Sequence, residues 1–386
     1  MMAVIQKHRA DKPRAGKSTI GFVIVSSGIG GMETYLLRLL SRLPVGTRAV
    51  VFVRADAPGV LHSELAATGA VLIYGGLGNA HPLRLARLYW RLRAERLDAV
   101  VDLTGVFAGI TLWVAWLAGI PRRIVFHRRS TYAFRETRAR MAFTRFSIAL
   151  VERFATAILA NSRSALDRFH ARLIGRDRRL GVIANIIDDA DMQPLRPRAV
   201  VRTQLALPDD AIVLLHVGRV DPAKDHGTLL RAMVSAMKAN PRLFAMLVGP
   251  GTDRLPASLA GLIPPDLHDR FRLLGNRTDI ADLNHAADVF VFPSVTEGQP
   301  NALLEAMLCG LPVIASDIAP IREVVPARAH ALLVAPGDAA GFAAAIHACV
   351  NDPAQADARR YRAEAQRITA PDTILPRLFS LILPDH

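Results

Sequence analysis

The sequence predicts an α/β protein made of two domains, each a parallel sheet wrapped by helices. Three observations carry that expectation. At 386 residues the chain is long enough for two domains, each burying its own core. Short apolar, β-branched runs alternate with helix-period segments along its length. The rhythm breaks once, at the proline- and charge-rich ADMQPLRPRA, and then restarts.

Composition narrows the classes. A hydrophobic content of 51%, mostly aliphatic, excludes disorder. The charge of +14, from 48 Lys+Arg against 34 Asp+Glu, is compatible with nucleic acid, an anionic membrane face or phosphorylated substrates. Cys309 and Cys349 fit neither a metal spacing nor a disulfide framework, so a reducing, cytoplasmic compartment is expected. Residues 1–18, MMAVIQKHRADKPRAGKS, are basic and lack the apolar run of a signal peptide; they read as a disordered lead-in. Leu103 to Pro121 carries no charge and approaches membrane-span length. Its pattern is that of a strand end, a turn at Thr104-Gly105, and a helix ended by Gly119 and Pro121.

The first domain is expected over 19–189. IGFVIV (20–25) is a strand, the small residues through Gly28, Gly30 and Gly31 make a turn, and Glu33 opens a helix with Tyr35, Leu36, Leu39, Leu40 and Leu43 on its apolar face. A glycine turn between strand and helix brings backbone close to a ligand. As a dinucleotide fingerprint the spacing fails, since the third glycine position is Thr34. Further strands are read at 49–53, 70–74, 99–103, 123–126 and 157–160. His127 follows one of them, at the carboxyl edge of the sheet where α/β ligands bind; a lone histidine there is otherwise a structural residue. Between Arg122 and Arg145 lie eight arginines, interleaved with Phe126, Tyr132, Phe134, Met141 and Phe143. Phe143, Phe146, Leu150 and Phe154 fall on one helical stripe, which predicts a core-facing helix with a solvated basic face. The alternative is a surface helix resting on anionic lipid or meeting a lipid-phosphate acceptor. A last strand is expected over 182–188 and the linker over 190–200.

The second domain is expected over 201–367. AIVLLHV (211–217) is its first strand, and the loop after it, from Gly218 to Gly227, carries Arg219 and Lys224. An arginine fork and a lysine point charge five residues apart can converge on a diphosphate. Strands LFAMLV (243–248) and FRLL (271–274) lead into glycine turns. Val289 to Phe292 is a buried strand, followed by the loop TEGQPN and a helix that opens at Pro300 and ends by Gly310. That loop aims unpaired N–H groups and the positive end of a helix dipole at whatever binds above the sheet, which favours an anion. Glu297 and Glu305 flank it. Carboxylates repel phosphate, so their work is to accept hydrogen bonds from hydroxyls, as on a ribose or a sugar. For either glutamate alone the plain reading is a solvated side chain; together with the anion site they suggest a nucleotide sugar. Helices are expected at 338–350 and 353–366, and the amphipathic tail, 368–386, is expected to pack on the first domain.

These stretches together resemble the retaining nucleotide-sugar glycosyltransferases of family 4, whose GT-B fold sets two facing Rossmann-like domains about an interdomain cleft. The resemblance runs from Ile20 to about Arg367. It is most specific in HVGRVDPAKDHGTLLRAM, LVGPG and HAADVFVFPSVTEGQPNALLEAMLCGLPVIASD, with GGMETYLLRLL, FHRRS, ANSRSALDRF and IANIID as first-domain landmarks. It implies that Glu297 holds hydroxyls of the donor sugar and Glu305 those of the ribose. It implies that Arg219 and Lys224 neutralise the departing diphosphate, helped by backbone around Gly218, Gly298, Gln299, Pro300 and Asn301. His127 would sit beside the transferred sugar, and Gly30 and Gly31 would approach the phosphates. No bound metal or permanent cofactor is implied; the donor would be a UDP-sugar, with GDP next, and the acceptor a hydroxyl, free or lipid-linked, of a polysaccharide, lipopolysaccharide or other glycoconjugate. Peripheral contact with an anionic membrane through Arg122–Arg145 is compatible with this, and no nucleic-acid partner is expected. Two departures from the family pattern are Ala184-Asn185-Ile186 and Ala319-Pro320. The rival functions are another GT-B enzyme such as an epimerase, a non-catalytic nucleotide binder, and a nucleic-acid binder.

Overall fold

The computed structural model describes residues 18–28, 30–75, 82–131 and 136–383. The basic lead-in through residue 17, and Tyr132 and Phe134 of the arginine-rich stretch, lie outside the described residues. Twelve strands are present among the described residues: β1 (Ser18–Ile24), β2 (Thr47–Val53), β3 (Val71–Tyr74), β4 (Ala99–Asp102), β5 (Arg122–His127), β6 (Ala157–Ala160), β7 (Leu180–Val182), β8 (Ile212–Val217), β9 (Leu243–Val248), β10 (Phe271–Leu273), β11 (Val289–Phe292) and β12 (Val313–Ala315). They form a seven-stranded sheet, in the order β3-β2-β1-β4-β5-β6-β7, and a five-stranded sheet, in the order β10-β9-β8-β11-β12. The pairings of β1 with β2 and β4, and of β8 with β9 and β11, are parallel. In both sheets the strand order reverses beside the first strand, the doubly wound arrangement that collects loops at the carboxyl edge.

Two compact units result. One comprises the described residues of Met1–Phe126, Thr137–Ile158 and Leu378–His386; the other comprises His127–Glu136 and Leu159–Arg377. In the second, alternate residues of each strand enter opposite cores. Val213, Leu215, Met246, Val248, Phe290 and Phe292 belong to one cluster, and Leu214, Ala245, Leu247, Val289 and Val291 to the other. Burial on both faces is what the unbroken apolar runs demand of a parallel sheet.

Three expectations are corrected. The last strand of the seven-stranded sheet is Leu180–Val182 instead of 182–188. The ladder stops because the Asn185 N–H donates to the Gln299 side chain and the Ile187 N–H to the Thr369 carbonyl. The charge-rich linker region already contains a helix, Arg198–Gln204. Its arginines are anchors: Arg198 donates to the carbonyls of His285 and Ala287, and Arg202 to those of Ala286 and Ala211.

The third correction concerns the phenylalanine stripe. The helix Arg138–Phe154 buries Thr144, Ser147 and Val151, while Phe143 and Phe146 are 40% and 55% exposed. The cause is a close helix crossing. The Gly109 N–H donates to Ser147 Oγ at 3.1 Å, and a Cβ on Gly109 would lie 2.2 Å from the Ser147 carbonyl oxygen. Only small side chains fit that crossing, so the phenylalanines turn outward. The uncharged stretch after β4 forms the nine-residue helix Gly109–Leu117. Among the described residues, no helix is long and apolar enough to cross a membrane.

Candidate functional site

The first wall of the site is the loop after β8. Gly218 is held by its N–H to the Val248 carbonyl at 2.8 Å, and a Cβ on it would meet His216 Nε2 at 2.9 Å. The Asp221 carboxylate accepts from the Ala223 N–H at 2.9 Å and opens a 3-10 turn, Pro222–Lys224. Asp225 then takes left-handed backbone angles, φ 47° and ψ 57°, and its carboxylate caps the helix His226–Ala239 through the Thr228 N–H. This tight double cap delivers Lys224. Its Nζ lies 2.5 Å from Glu297 Oε1 and 4.7 Å from the centre of the Phe292 ring.

The second wall is the loop after β11. The Val295 N–H bonds to the Ala223 carbonyl at 2.9 Å, joining the two loops. Ser130 Oγ donates to the Glu297 carbonyl, and the hydroxyls of Thr131 and Thr296 meet at 3.0 Å. A Cβ on Gly298 would lie 2.3 Å from the Arg128 carbonyl oxygen, so only glycine passes there. Pro300 is the N-cap of the helix Asn301–Leu308. Among the described residues, the N–H groups of Gly298 and Gln299 have no protein acceptor. The Asn301 N–H bonds back to the Gln299 carbonyl at 3.0 Å, so these two groups, with the N–H groups of Ala302 and Leu303, are the donors left above β11.

Asn185 ties this loop down. Its N–H donates to Gln299 Oε1, and its Nδ2 to Asn301 Oδ1. The departure Ala184-Asn185-Ile186 therefore keeps its asparagine fixed against the helix start.

Below the first loop, His216 and His226 are buried with their rings edge to face, centres 5.0 Å apart. Burial pushes the His216 imidazole down to about 3, helped by His226 and Lys224, while the Val291 carbonyl opposes the shift. Burial, and then Lys224, push His226 down to about 4. Both rings are neutral near pH 7 and add no positive charge to that of Lys224.

The other expected residues are placed as follows. Arg219 ends the β8 side of the loop with an exposed side chain that makes no hydrogen bond or ion pair among the described residues. Glu305 is half-buried in Asn301–Leu308, on the face shared with Asn301 and with Cys309, whose Sγ donates to the Met192 carbonyl at 3.7 Å. His127, 1% exposed, closes β5; its Nε2 lies 2.9 Å from His170 Nε2 and its ring stacks on Phe169 at 5.2 Å. Burial, then His170, hold the His127 imidazole well below its usual range. Gly30 and Gly31 belong to the other unit, Gly30 as the extended N-cap of Gly31–Leu40.

Sequence reasoning did not single out Ser130, Phe292 or His216. Ser130 lies inside FHRRS, a motif read as a landmark without a contact. Phe292 and His216 are apolar-strand positions, and the contact of Phe292 with Lys224 and of His216 with Phe292 depends on which face of the sheet the loop crosses.

Residues 211–352 match the family described as Glycosyl transferases group 1, and residues 29–191 match Glycosyltransferase Family 4. The chain is 28% identical to a D-inositol 3-phosphate glycosyltransferase of Streptomyces bingchenggensis, over 84% of this chain and 78% of the relative. It is similar in structure to Anabaena HepE crystallised with UDP and glucose, at a TM-score of 0.79 and 23% identity, covering 94% of this chain and 98% of that one. It is also similar to WaaG, a glycosyltransferase involved in lipopolysaccharide biosynthesis, at a TM-score of 0.71 and 16% identity, covering 95% and 100%.

Proposed function

Since the chain belongs to the family 4, group 1 glycosyltransferases and has the GT-B fold, we propose that it is a retaining enzyme that moves a sugar from a UDP-sugar to a hydroxyl acceptor of a polysaccharide, lipopolysaccharide or other glycoconjugate. The observation that carries the donor half of this reading is the meeting of Lys224 with Glu297 at 2.5 Å, beside the acceptor-free N–H groups of Gly298 and Gln299. A cation, a hydroxyl-accepting carboxylate and a helix start form the combination a sugar diphosphate requires.

In this proposal the sugar C1–oxygen bond to the diphosphate loosens, placing positive charge on the sugar and negative charge on the leaving group. Lys224 and Arg219 face the growing negative charge, which stabilises the transition state more than the bound donor. Gly298 and Gln299 N–H groups share that charge, Glu297 accepts from sugar hydroxyls, and Glu305 accepts from the ribose. His127 is assigned to the sugar side, oriented by His170. UDP complexes of HepE and its similarity in fold favour UDP over GDP as the first donor to test.

Thermal-shift screening against UDP-, GDP- and ADP-sugars tests the donor, because a ligand selective for the native state raises apparent stability by mass action. A UDP-sugar is expected to give the largest rise. NMR of the product, formed only with an added hydroxyl acceptor and carrying the donor's anomeric configuration, tests transfer with retention. Product formed without acceptor would indicate epimerisation, and an inverted anomer would overturn retention.

A further inference from the structure

The unit that carries Gly30 and Gly31 presents a face that the donor site leaves unexplained. Its helices Pro82–Ala94 and Arg138–Phe154 both pack against Gly109–Leu117, so the three form one layer. Pro82–Ala94 buries Leu88 and Leu92. Its outer stripe, at i, i+4, i+7 and i+10, is Leu83, Arg87, Trp90 and Arg93. Trp90 is 65% exposed and Trp116, at the end of the neighbouring helix, 48%. An open groove between these helix ends is lined by Trp90, Arg93 and Arg96 together with Ala118 and Gly119. Trp116 touches Phe154, 5.1 Å between ring centres, and the Arg153 guanidinium lies over that ring at 5.5 Å. The outward Phe143 and Phe146 continue the apolar surface along the third helix.

Charge selects the occupant. Pro82–Ala94 contains four arginines and no acidic residue, Gly109–Leu117 contains no charge, and Arg138–Phe154 contains four arginines against one glutamate. Tryptophan places an apolar body and a polar N–H at a lipid–water boundary, and arginine covers apolar surface with its stem while its head meets phosphate. Exposed aromatics ringed by arginines, with almost no carboxylate, match neither a solvated helix face nor an apolar protein partner. We propose that this three-helix face docks the protein on an anionic lipid surface, with Trp90 and Trp116 entering the headgroup layer and Arg93, Arg96 and Arg153 contacting lipid phosphates. The proposal is independent of the donor reading: it uses no residue of that site, and lipid binding is measured without any sugar donor.

The test is flotation of the full chain with phosphatidylcholine vesicles, with and without phosphatidylglycerol, alongside quenching of tryptophan fluorescence by brominated lipid. Two of the chain's three tryptophans lie on the face, so quenching reports its insertion. The expected result is co-flotation with phosphatidylglycerol vesicles only, weakening as salt rises, with strong quenching. Arg93→Gln combined with Arg96→Gln should lower partitioning about thirtyfold, from the per-arginine contribution near an anionic surface. Trp90→Ala with Trp116→Ala should abolish quenching and most binding, and Trp90→Phe should retain most of it. The basic residues 1–17 are present in every variant, so differences between variants report the face. Circular dichroism confirms that each variant is folded; for one that is not, Trp90→Phe and the paired arginine variant carry the comparison. Absence of co-flotation at low salt, or binding that neither pair of substitutions changes, would overturn the proposal. So would a dimer that these substitutions dissolve, since the face would then join two copies of the chain.

Discussion

Lys224 and Glu297, separated by 73 positions, close to 2.5 Å between Nζ and Oε1. The contact joins the loop after β8 to the loop after β11, and the backbone bond from Val295 to Ala223 holds it in register. On the proposed donor reading, a lysine paired this way is already oriented for the diphosphate. Lys224→Ala is therefore expected to lower kcat by roughly 10²- to 10³-fold, the scale of losing one preorganised donor, and Arg219→Ala similarly. A near-wild-type rate at saturating donor would remove either from the mechanism. Lys224→Ala combined with Glu297→Ala should cost less than the two single losses summed, because they share one contact.

Gly298 is packed against backbone. Its missing Cβ leaves room for the Arg128 carbonyl, which a methyl group would approach to 2.3 Å. Backbone on backbone has no flexible end to yield, so Gly298→Ala should displace the loop. The expected outcome is a rise in donor KM with a loss of about 1–3 kcal/mol in urea unfolding. Unchanged donor binding would show that the loop position does not matter for the donor.

Gln299 and Asn185 form the second brace. The Asn185 backbone is buried and its N–H donates to Gln299 Oε1. Gln299→Ala leaves that N–H without an acceptor, at a cost of about 1–3 kcal/mol. Gln299→Glu keeps an oxygen in place and should recover part of the stability, while its negative charge weakens nucleotide binding measured by calorimetry. Equal stability of the Ala and wild-type proteins would mean water replaces the contact fully.

Acid should unfold this protein through its buried histidines. His216 falls to about 3 in the folded state, against about 6.5 in the unfolded chain. Between those values the unfolded state binds the extra proton, so stability is lost as pH falls below about 6.5 and the loss is complete near pH 3. From pH 6.5 to 5 the cost is about 2 kcal/mol for His216 alone. Melting curves across that window should shift downward on acidification, and His216→Phe should flatten the slope. A slope that the substitution leaves unchanged would show that other groups dominate the acid response.

What the sequence determined by itself was the alternation of buried strands and helices, the strand–loop–helix at 289–310, and which loops carry the cations and the carboxylates. Those follow from local patterns: apolar runs that need two buried faces, a proline at a helix start, glycines where backbone must pass. The tertiary structure alone decided which of these loops meet. Lys224 reaches Glu297, and Asn185 reaches Gln299, only because strands distant in sequence are neighbours in the five-stranded sheet and around it. It also decided the direction of Phe143 and Phe146. A helical stripe of aromatics reads as core in any sequence, but here the close crossing at Gly109 and Ser147 admits only small side chains. Helix periodicity shows that a stripe exists, and steric fit against the neighbouring helix fixes whether it faces the core or the solvent.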